Sequence, residues 1–260
     1  MLIKKIHKIF SFFGLNFKKL ILSLIRFPRY IRTFYQFNKQ NYNRKFPIKK
    51  LFPCIDDVYE QSGNAKGHYF YQDLLVAKMI NINKPDSHFD IGSRIDGFVA
   101  HVASFRKINV FDIRILDNFD DNVEFHQLDL MNEIPSKYIE ITDSLSCLHT
   151  LEHFGLGRYG DKIDPDGYIK GLNNMTLLIK QYGVFYLSVP IGEQRIEFNA
   201  HRVFSVQYLF SLVSKDFEIV NFSFVDDNGD LFINVDLNEN LINRNFNCNY
   251  GCGILTLRKK

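Results

Sequence analysis

The chain has 260 residues, enough for one ordinary α/β domain and an additional segment. Its apolar fraction of 46%, to which 26 Phe and 13 Tyr contribute, is sufficient for a buried core. The net charge of +3 hides a division, because residues 1–50 contain 13 Lys and Arg and no acid, which leaves 19 basic and all 29 acidic residues to the remainder. This asymmetry indicates a basic arm that meets an anionic surface, joined to an acidic domain. A domain of that charge argues against nucleic acid as a partner.

The four cysteines predict neither a disulfide framework nor a structural zinc site. Only Cys248 and Cys252 lie close together in sequence, and no histidine is near them. A structural zinc site uses four ligands at tighter spacings, so we expect free thiols in a reducing cytosol and no metal ion. The one alternative is a metal cluster of His149, His153 and His201.

Residues 1–25 have the pattern of a basic amphipathic helix with a potential break at Gly14. Apolar residues recur at helical spacing, and lysines lie between them. The apolar runs are far shorter than the roughly 20 residues of a membrane-spanning helix. Lys18 and Lys19 also interrupt any signal-peptide core. The pattern favours a helix that lies on an anionic membrane surface, with packing or an oligomer contact and nucleic-acid binding as alternatives.

The stretch that follows, residues 26–50, stays basic and aromatic and is predicted to be an extended linker. Three prolines in or beside it discourage a continuous helix: Pro28, Pro47 and Pro53. We therefore expect the arm and its linker to occupy residues 1–55 and an α/β domain to occupy residues 56–260.

From residue 68 onward, helical and strand patterns alternate. A helix is predicted over residues 68–81, with four polar residues that could face a site: His68, Tyr69, Gln72 and Asp73. Seven strands are predicted, at residues 88–91, 110–112, 125–130, 143–149, 184–189, 217–224 and 253–258. Further helices are predicted over residues 98–107, 165–182 and 206–213. Alternation of this kind builds an open, doubly wound, mostly parallel sheet, which binds ligands at the carboxyl ends of its strands.

Special residues fall at those strand ends. Gly92 follows the first strand and lets the backbone turn sharply, Gly97 lets the next helix start close to the strand, and Asp96 is a potential N-cap of that helix. Asp112 and Asp129 end the second and third strands. An acid after the second strand can bond both hydroxyls of a ribose. The set predicts a nucleoside-type ligand, although each acid alone is also explained as a helix N-cap.

This series resembles the class I S-adenosylmethionine-dependent methyltransferases over residues 85–258. The matching motifs are Phe89-Asp90-Ile91-Gly92, Asp112, Asp129, Leu151-Glu152-His153 and the Gly183 turn before a strand that ends at Pro190. The resemblance implies an α/β, Rossmann-like, doubly wound, mostly parallel sheet of seven strands, the last one antiparallel, preceded here by the basic helical arm.

Longer motifs resemble a narrower group, domain-of-unknown-function family 268. They lie at residues 67–70, 90–97, 155–161 and 198–204. This group is methyltransferase-like and is seen in nematodes and in bacterial surface-glycan gene clusters, which implies a sugar or glycan acceptor but does not identify the reaction.

The resemblance implies S-adenosylmethionine as the cofactor and assigns residues to it. The expected cofactor-binding residues are Asp90, Gly92, Ser93, Gly97, Asp112, Asp129, Leu130, Cys147 and His149. The chain departs from the family at Arg94 and Asp96, where methyltransferases usually keep glycines. Arg94 either forms an ion pair in the site or blocks the usual cofactor position.

Methyl transfer to a hydroxyl needs an aligned acceptor and a base that takes its proton. His153 and His201 are the candidate bases because histidine titrates near neutral pH, and Glu152 is expected to orient one of them. The expected substrate-binding residues come from two polar loops at the ligand edge: Arg158, Tyr159, Asp161, Arg195 and Asn199.

We therefore expect a methyltransferase that acts on a hydroxyl of a sugar or surface-glycan intermediate at the cytoplasmic face of a membrane, with residues 1–25 touching that membrane. One alternative is a non-catalytic module with this fold that docks on a membrane or a glycan-assembly complex. A second alternative is an NAD-dependent sugar-modifying enzyme, which Asp112 also fits but the missing middle glycine of the turn disfavours.

Overall fold

The computed structural model describes residues 14, 16–40, 46–63, 65–117 and 120–260. The chain divides between residues 64 and 65 into two units, which are described separately. Most of the amphipathic stretch predicted over residues 1–25, including residues 1–13, lies outside the described residues.

In the first unit, helix α1 spans Phe17–Gln40 and includes Pro28. The prediction of an extended linker from residue 26 onward was therefore wrong for residues 26–40. A proline inside a helix removes one backbone hydrogen bond at a cost of about 3 kcal/mol. The helix continues because Ile31 and Tyr35 keep the helical spacing of the apolar residues and no glycine interrupts it.

Helix α1 buries none of its residues. The Nη1 atom of Arg26 lies 2.7 Å from the Oδ1 atom of Asp56, and its guanidinium stacks 4.3 Å from the centre of the Tyr59 ring. Among the described residues, no helix combines the length and the apolarity that crossing a membrane requires.

The second unit alternates strands and helices, as predicted. Its strands are β1 (Phe89–Ile91), β2 (Ile108–Asp112), β3 (Val123–Gln127), β4 (Thr142–Leu148), β5 (Ile179–Ile191), β6 (Arg195–Glu197), β7 (His201–Val203), β8 (Phe217–Val225), β9 (Leu231–Phe232) and β10 (Gly251–Lys259). Its α-helices are α2 (His68–Asn83), α3 (Ala100–Ala103), α4 (Gly167–Leu178), α5 (Val206–Val213) and α6 (Glu239–Asn243). Single helical turns lie at Ile95–Val99, Ser136–Tyr138, Leu151–His153 and Asn245–Asn247.

The main sheet has the strand order β3-β2-β1-β4-β5-β10-β8-β9 in the described part of the chain. Strands β1 to β5 pair in parallel, and β10 runs antiparallel between β5 and β8, as predicted for the last strand. The sheet has eight strands rather than the predicted seven. The additional strand, β9, forms because the chain reverses at the turn over residues 226–229 and pairs Phe232 with Phe224.

Helices cover both faces of the sheet. One buried cluster joins the sheet to Leu172 of α4 and Val206 of α5, and the other joins it to Val76 of α2 and Val102 of α3. Successive side chains of a strand point to opposite faces, so a central strand such as β5 is apolar on both of them. Each fully buried aliphatic or aromatic side chain contributes roughly 1.5–3 kcal/mol.

Two of the predicted helix starts were wrong. Asp96 does not cap the helix after β1, because its carboxylate pairs with Arg94 and the backbone at Gly97 is not helical. The helix predicted from Pro165 begins at Gly167, and Asp164 accepts a hydrogen bond from the Asp166 amide before it. Residues 234–249, which had no prediction, contain α6 and a helical turn.

Candidate active site

A cavity of about 400 Å³ opens at the carboxyl ends of β1 to β4. Its walls are the turn after β1, residues 111–114 at the end of β2, residues 128–131 after β3 and residues 148–150 after β4. Three polar residues of α2 complete one side: Tyr69, Gln72 and Asp73. The size and position are those of a small-molecule site in an open α/β sheet.

Hydrogen bonds to the buried carboxylate of Asp90 hold the turn after β1 in place. Asp90 is fully buried, and its carboxylate accepts hydrogen bonds from the Ser93 amide at 2.9 Å, the Ser93 hydroxyl at 2.8 Å and the Ser146 hydroxyl. Burial raises the pKa of Asp90 to about 7, although these hydrogen bonds oppose the rise. Asp90 therefore organises the turn but does not line the cavity, whereas Ser93 does.

Gly92 brings the backbone of this turn close to the end of β4. Its φ of +66° lies in the left-handed region, and a Cβ at this position would lie 2.5 Å from the Cγ2 atom of Thr150. A side chain would therefore meet both backbone strain and a steric clash. Gly97 borders the same cavity and would place a Cβ 3.2 Å from the Oδ2 atom of Asp73.

Arg94 and Asp96, which stand where methyltransferases usually keep glycines, bond to each other. The Nη2 atom of Arg94 donates to Asp96 Oδ2 at 2.7 Å, and its Nε atom donates to Oδ1 at 3.0 Å. The hydrogen bonds from Arg94 lower the pKa of Asp96. Both side chains are about 70% exposed at the cavity wall, so this ion pair leaves the interior of the cavity open.

At the end of β2, Asp112 has a partner that sequence reasoning missed. The Nη2 atom of Arg114 donates to Asp112 Oδ2 at 2.6 Å, and its Nε atom donates to Oδ1 at 3.0 Å. The Arg114 guanidinium also stacks 4.6 Å from the centre of the Tyr159 ring. The Asp112 side chain is 13% exposed and that of Arg114 is 50% exposed, so the pair stands on the cavity wall with its arginine facing solvent.

After β3, Asp129 supports its own loop. Its carboxylate accepts hydrogen bonds from the Met131 amide at 2.9 Å and from the Asn132 side chain at 2.8 Å. Asp129 lines the cavity together with Leu130, which is buried. A local turn thus explains the acid here, but no helix begins at it, so the alternative of a helix N-cap was wrong for Asp129.

A group of buried histidines follows β4. His149 has a φ of +52°, which is uncommon for a residue other than glycine. Its Nδ1 atom lies 2.7 Å from the Oε1 atom of Glu152. Three buried side-chain atoms of this region lack a hydrogen-bond partner: His149 Nε2, Glu152 Oε2 and His201 Nε2.

The negative charge of Glu152 and the positive charge of His149 stabilise each other. Burial disfavours the ionised carboxyl of Glu152, but attraction and a hydrogen bond from His149 outweigh it and lower the pKa of Glu152. Burial also disfavours the charged imidazole of His149, but Cys252 and Glu152 outweigh it and raise the pKa of His149 well above its usual value.

His153 lines the cavity with one ring nitrogen free. Its Nδ1–H donates to the Ala200 carbonyl at 2.7 Å, and its Nε2 atom lies 3.7 Å from the Oε1 atom of Glu152, beyond hydrogen-bond distance. Burial lowers the pKa of His153, so the ring is neutral near pH 7. Arg158 also donates to the Ala200 carbonyl, at 2.9 Å.

The polar loop after β4 is built around Asp161. Its carboxylate accepts hydrogen bonds from the amides of Gly155 at 2.9 Å, Gly157 at 3.0 Å and Tyr159 at 3.1 Å. The loop in turn presents Arg158 and Tyr159 to the cavity.

The structure brings most of the predicted site residues to this one cavity. Those that line it are Gly92, Ser93, Gly97, Asp112, Asp129, Leu130, His149, His153, Arg158, Tyr159 and Asp161. Those that do not are Asp90, Cys147, Glu152, Arg195, Asn199 and His201. Cys147 is fully buried in the core, Arg195 bonds to the Asn249 carbonyl and to Glu197, and Asn199 is exposed.

Other wall residues carried no signal in the sequence, because they are ordinary core or loop residues until the fold places them at the cavity. They include Phe98, Phe111, Ile113, Arg114, Met131, Thr150 and Phe154. Arg114 could have been suspected, since it lies two residues after the acid that ends β2.

One group of potential metal ligands also forms, and it is not the cluster of His149, His153 and His201 considered from the sequence. Among the described residues, the only set of three or more His, Cys, Asp or Glu with ligand atoms close enough for one ion is His68, His149 and Cys252. These atoms lie within 4.8 Å of one another.

Comparison with known proteins identifies the family and the fold. The model of the family described as Caenorhabditis protein of unknown function, DUF268, matches residues 96–260. No curated protein matches the chain.

Among solved structures, 1,6-didemethyltoxoflavin-N1-methyltransferase of Burkholderia thailandensis, with bound 1,6-didemethyltoxoflavin and S-adenosylhomocysteine, is similar. It is 14% identical and has a TM-score of 0.52, over 73% of this chain and 78% of that one. The N-methyltransferase NodS of Bradyrhizobium japonicum WM9 is 8% identical, with a TM-score of 0.50 over 75% of this chain and 99% of that one. At these identities the likeness shows the fold, which is that of the Rossmann-like methyltransferases.

Proposed function

This chain belongs to the DUF268 family, and we propose that it is an S-adenosylmethionine-dependent methyltransferase that modifies a hydroxyl group of a small polar acceptor. The observation that carries the proposal is the cavity at the carboxyl ends of β1 to β4, where the Gly92 turn and the Asp112 carboxylate face one space of about 400 Å³. A methyltransferase neighbour with bound S-adenosylhomocysteine shares the fold.

The residues of the cavity walls suit the chemical groups of the cofactor. In this proposal Asp112 binds the ribose hydroxyls, residues 129–130 contact the adenine, and Gly92 and Ser93 contact the methionine part. A carboxylate has about four acceptor positions, so the bonds from Arg114 leave Asp112 able to accept more. Because Gly92 has no Cβ, its backbone packs against Thr150, and both residues line the cavity at the place assigned to the methionine part.

S-adenosylmethionine supplies an activated methyl group, which leaves the protein to align the acceptor and to take its proton. We assign the base to His153 rather than to His201, because His153 lines the cavity and His201 does not. The Ala200 carbonyl holds the Nδ1 proton of His153, so its Nε2 atom is the basic one. Glu152 does not bond to this nitrogen, but its carboxylate lies 3.7 Å away and stabilises the imidazolium that forms when His153 takes the proton.

The acceptor that we propose is a sugar or a surface-glycan intermediate. Tyr159 and Arg158 both line the cavity, and their side chains suit a hydroxylated ring, one by stacking and the other by hydrogen bonding. The Arg114 guanidinium also lies over the Tyr159 ring, at 4.6 Å from its centre, and offers further donors for sugar oxygens.

The arm helix α1 is the proposed membrane contact. It carries six basic residues and no acid, and its apolar residues are exposed: Phe17, Leu20, Ile21, Leu24, Ile25, Phe27, Ile31, Tyr35 and Phe37. Each basic residue near an anionic surface contributes about 1 kcal/mol. Binding to anionic but not to neutral phosphatidylcholine vesicles, weakened by Leu24→Glu and unchanged by the α4 variant Leu177→Glu, tests this assignment.

The first test of the cofactor is titration calorimetry of the full chain with S-adenosylhomocysteine and then with NAD. The proposal predicts micromolar binding of S-adenosylhomocysteine that Asp112→Ala abolishes and that Asp86→Ala retains, since Asp86 is exposed and does not line the cavity. Binding of NAD alone would instead support the sugar-modifying oxidoreductase.

A non-catalytic docking module is the second candidate function. The ion pairs Arg94–Asp96 and Arg114–Asp112 favour it, because they satisfy the charged groups at the cavity wall without any ligand. Absence of binding to both S-adenosylhomocysteine and NAD, with retained vesicle binding, would make this function the leading one.

A further inference from the structure

Three soft or borderline ligands converge beside the cavity from distant parts of the chain. His68 begins α2, His149 follows β4 and Cys252 lies in β10, and their ligand atoms come within 4.8 Å of one another. Cys252 is fully buried and His149 nearly so, while His68 is half-buried. Helix α2, the residue after β4 and strand β10 thus place two imidazoles and one sulfur close together.

His149 has the bonding pattern of a metal ligand. One of its ring nitrogens, Nδ1, bonds to the Glu152 carboxylate at 2.7 Å, and the other, Nε2, is buried without a hydrogen-bond partner. The His149 side chain is only 4% exposed, so that nitrogen has little contact with bulk solvent. A buried polar atom without a partner costs about 1–3 kcal/mol. Metal-bound histidines commonly have their second nitrogen on a carboxylate, which fixes the ring and raises its basicity.

We propose that His68, His149 and Cys252 bind one zinc-class divalent ion, with three protein ligands and a fourth position left to water or to an acceptor. Imidazole and thiolate are ligands that Zn²⁺ prefers, and sites with three protein ligands keep an open position. Tetrahedral geometry with about 2.0–2.3 Å bonds separates ligand atoms by about 3.5 Å, so side-chain shifts of about 1 Å close the site. The proposal is independent of the cofactor assigned above, although His149 lines the cavity as well.

A metal-free Cys252–His149 ion pair is the competing explanation. Cys252 Sγ also donates a long hydrogen bond of 3.7 Å to the Oε1 atom of Gln72, which needs the protonated thiol and so argues against that ion pair. His68 takes no part in that pair, but its ring stacks on His149 at 5.3 Å between centroids, with an angle of 5° between the planes, and also contacts the Tyr250 ring. One metal ion bound by all three side chains explains why His68 lies beside the other two.

The test is a titration of the purified, metal-stripped full chain with Co²⁺, followed by absorption spectroscopy. The proposal predicts one equivalent of Co²⁺ bound, with a near-ultraviolet band from the thiolate and visible bands of tetrahedral cobalt that Zn²⁺ abolishes by displacement. Cys252→Ser should remove the near-ultraviolet band, and Cys248→Ser, a change of another buried cysteine four residues away, should retain it.

Two further variants keep the test decisive if Cys252→Ser disturbs the strand. His68→Gln alters a half-buried ligand at the start of α2 and should weaken Co²⁺ binding at least tenfold, whereas His101→Gln, an exposed histidine outside the group, should not. Glu152→Gln keeps every ligand and should weaken binding about 10–100-fold by loosening His149. Circular dichroism confirms that each variant is folded.

Failure of the wild-type chain to bind Co²⁺ and Zn²⁺ would overturn the proposal in favour of the Cys252–His149 ion pair. Binding with a near-ultraviolet band unchanged in folded Cys252→Ser would overturn it as well. Titration of the metal-stripped protein with S-adenosylhomocysteine separates the two proposals, since it reports on the cofactor without the metal.

Discussion

The two sides of the cavity differ in how their polar groups are satisfied. On the cofactor side, at the ends of β1 to β3, Asp96, Asp112 and Asp129 bond to residues two or three positions away in sequence. The histidine side consists of His149 and His153 at the cavity and of four neighbours that do not line it: His68, Glu152, His201 and Cys252. Its groups are buried or half-buried, and the contacts of His68 and Cys252 with His149 join residues more than 80 positions apart in sequence. Three of their atoms have no partner.

This difference indicates what each side does. Local ion pairs with exposed arginines are satisfied at little cost and can exchange for a ligand. Buried atoms without partners are costly, so their persistence points to a group that the protein binds there. We therefore expect substitutions on the histidine side to affect stability strongly and those on the cofactor side to affect mainly ligand binding.

The largest effect is expected for Glu152→Ala in the metal-free protein. Removal of this fully buried carboxylate leaves His149 without its partner, which should lower the free energy of unfolding by about 3–5 kcal/mol. Glu197→Ala, an exposed acid near His201, should change it by less than 1 kcal/mol. Urea denaturation measures both. Equal effects of the two variants would remove the distinction between the sides.

The next largest effect is a pH dependence of stability that arises from Asp90, whose carboxyl bonds to the turn after β1. Because its pKa rises from 3.8 to about 7 on folding, the protonated form contributes stability that is complete below pH 3.8 and is lost as the pH rises through about 7. The loss reaches about 4 kcal/mol at 1.36 kcal/mol per pKa unit. Asp90→Asn should lack this component, so its stability relative to the wild type should rise between pH 4 and pH 8. Parallel pH profiles of the two proteins by chemical denaturation would contradict this account of Asp90.

A smaller loss of stability is expected for Gly92→Ala, where a positive φ coincides with a clash between the added Cβ and Thr150. Strain and overpacking together should cost about 2–4 kcal/mol and weaken S-adenosylhomocysteine binding. Gly160→Ala is the matched control, since Gly160 has a φ of +86° but no atom within 4 Å of an added Cβ, and it should cost only about 1–2 kcal/mol. Thermal unfolding of both variants gives the difference. If the control is equally destabilised, the contact with Thr150 has no role.

The smallest effect is expected for Arg114→Gln, which frees the Asp112 carboxylate. Stability should change by less than 1 kcal/mol, because the arginine is half exposed. The dissociation constant for S-adenosylhomocysteine should fall about two- to fivefold if Arg114 competes with the ribose. A weaker affinity, measured by calorimetry, would show that Arg114 instead contributes to the binding site.

The sequence predicted the cofactor side better than the histidine side for a physical reason. Strand ends followed by Gly92 or Asp112 are local patterns, and parallel strands bring their carboxyl ends to one edge. The contacts of His149 with His68 and with Cys252 join residues 81 and 103 positions apart, which no local pattern encodes. The hydrogen bonds by which Asp161 holds its own loop were also invisible, since the loop's composition alone indicated substrate binding.

The prediction of secondary structure failed where local sequence rules oppose each other. Pro28 predicts a break, but the helical spacing of the apolar residues continues past it and the helix persists. Strand β9 has only two residues and exists because β8 offers it a partner, so periodicity in the sequence could not reveal it. These two errors leave the order of the central strands untouched, and that order positions the cavity.

The most direct test of the central claim is a crystal structure of the full chain with S-adenosylhomocysteine. We expect the ribose on Asp112, with the Arg114 guanidinium displaced from that carboxylate, and the sulfur next to the end of β4. A ligand bound elsewhere, or a cavity in which the Asp112–Arg114 pair persists and no S-adenosylhomocysteine binds at saturating concentration, would contradict it.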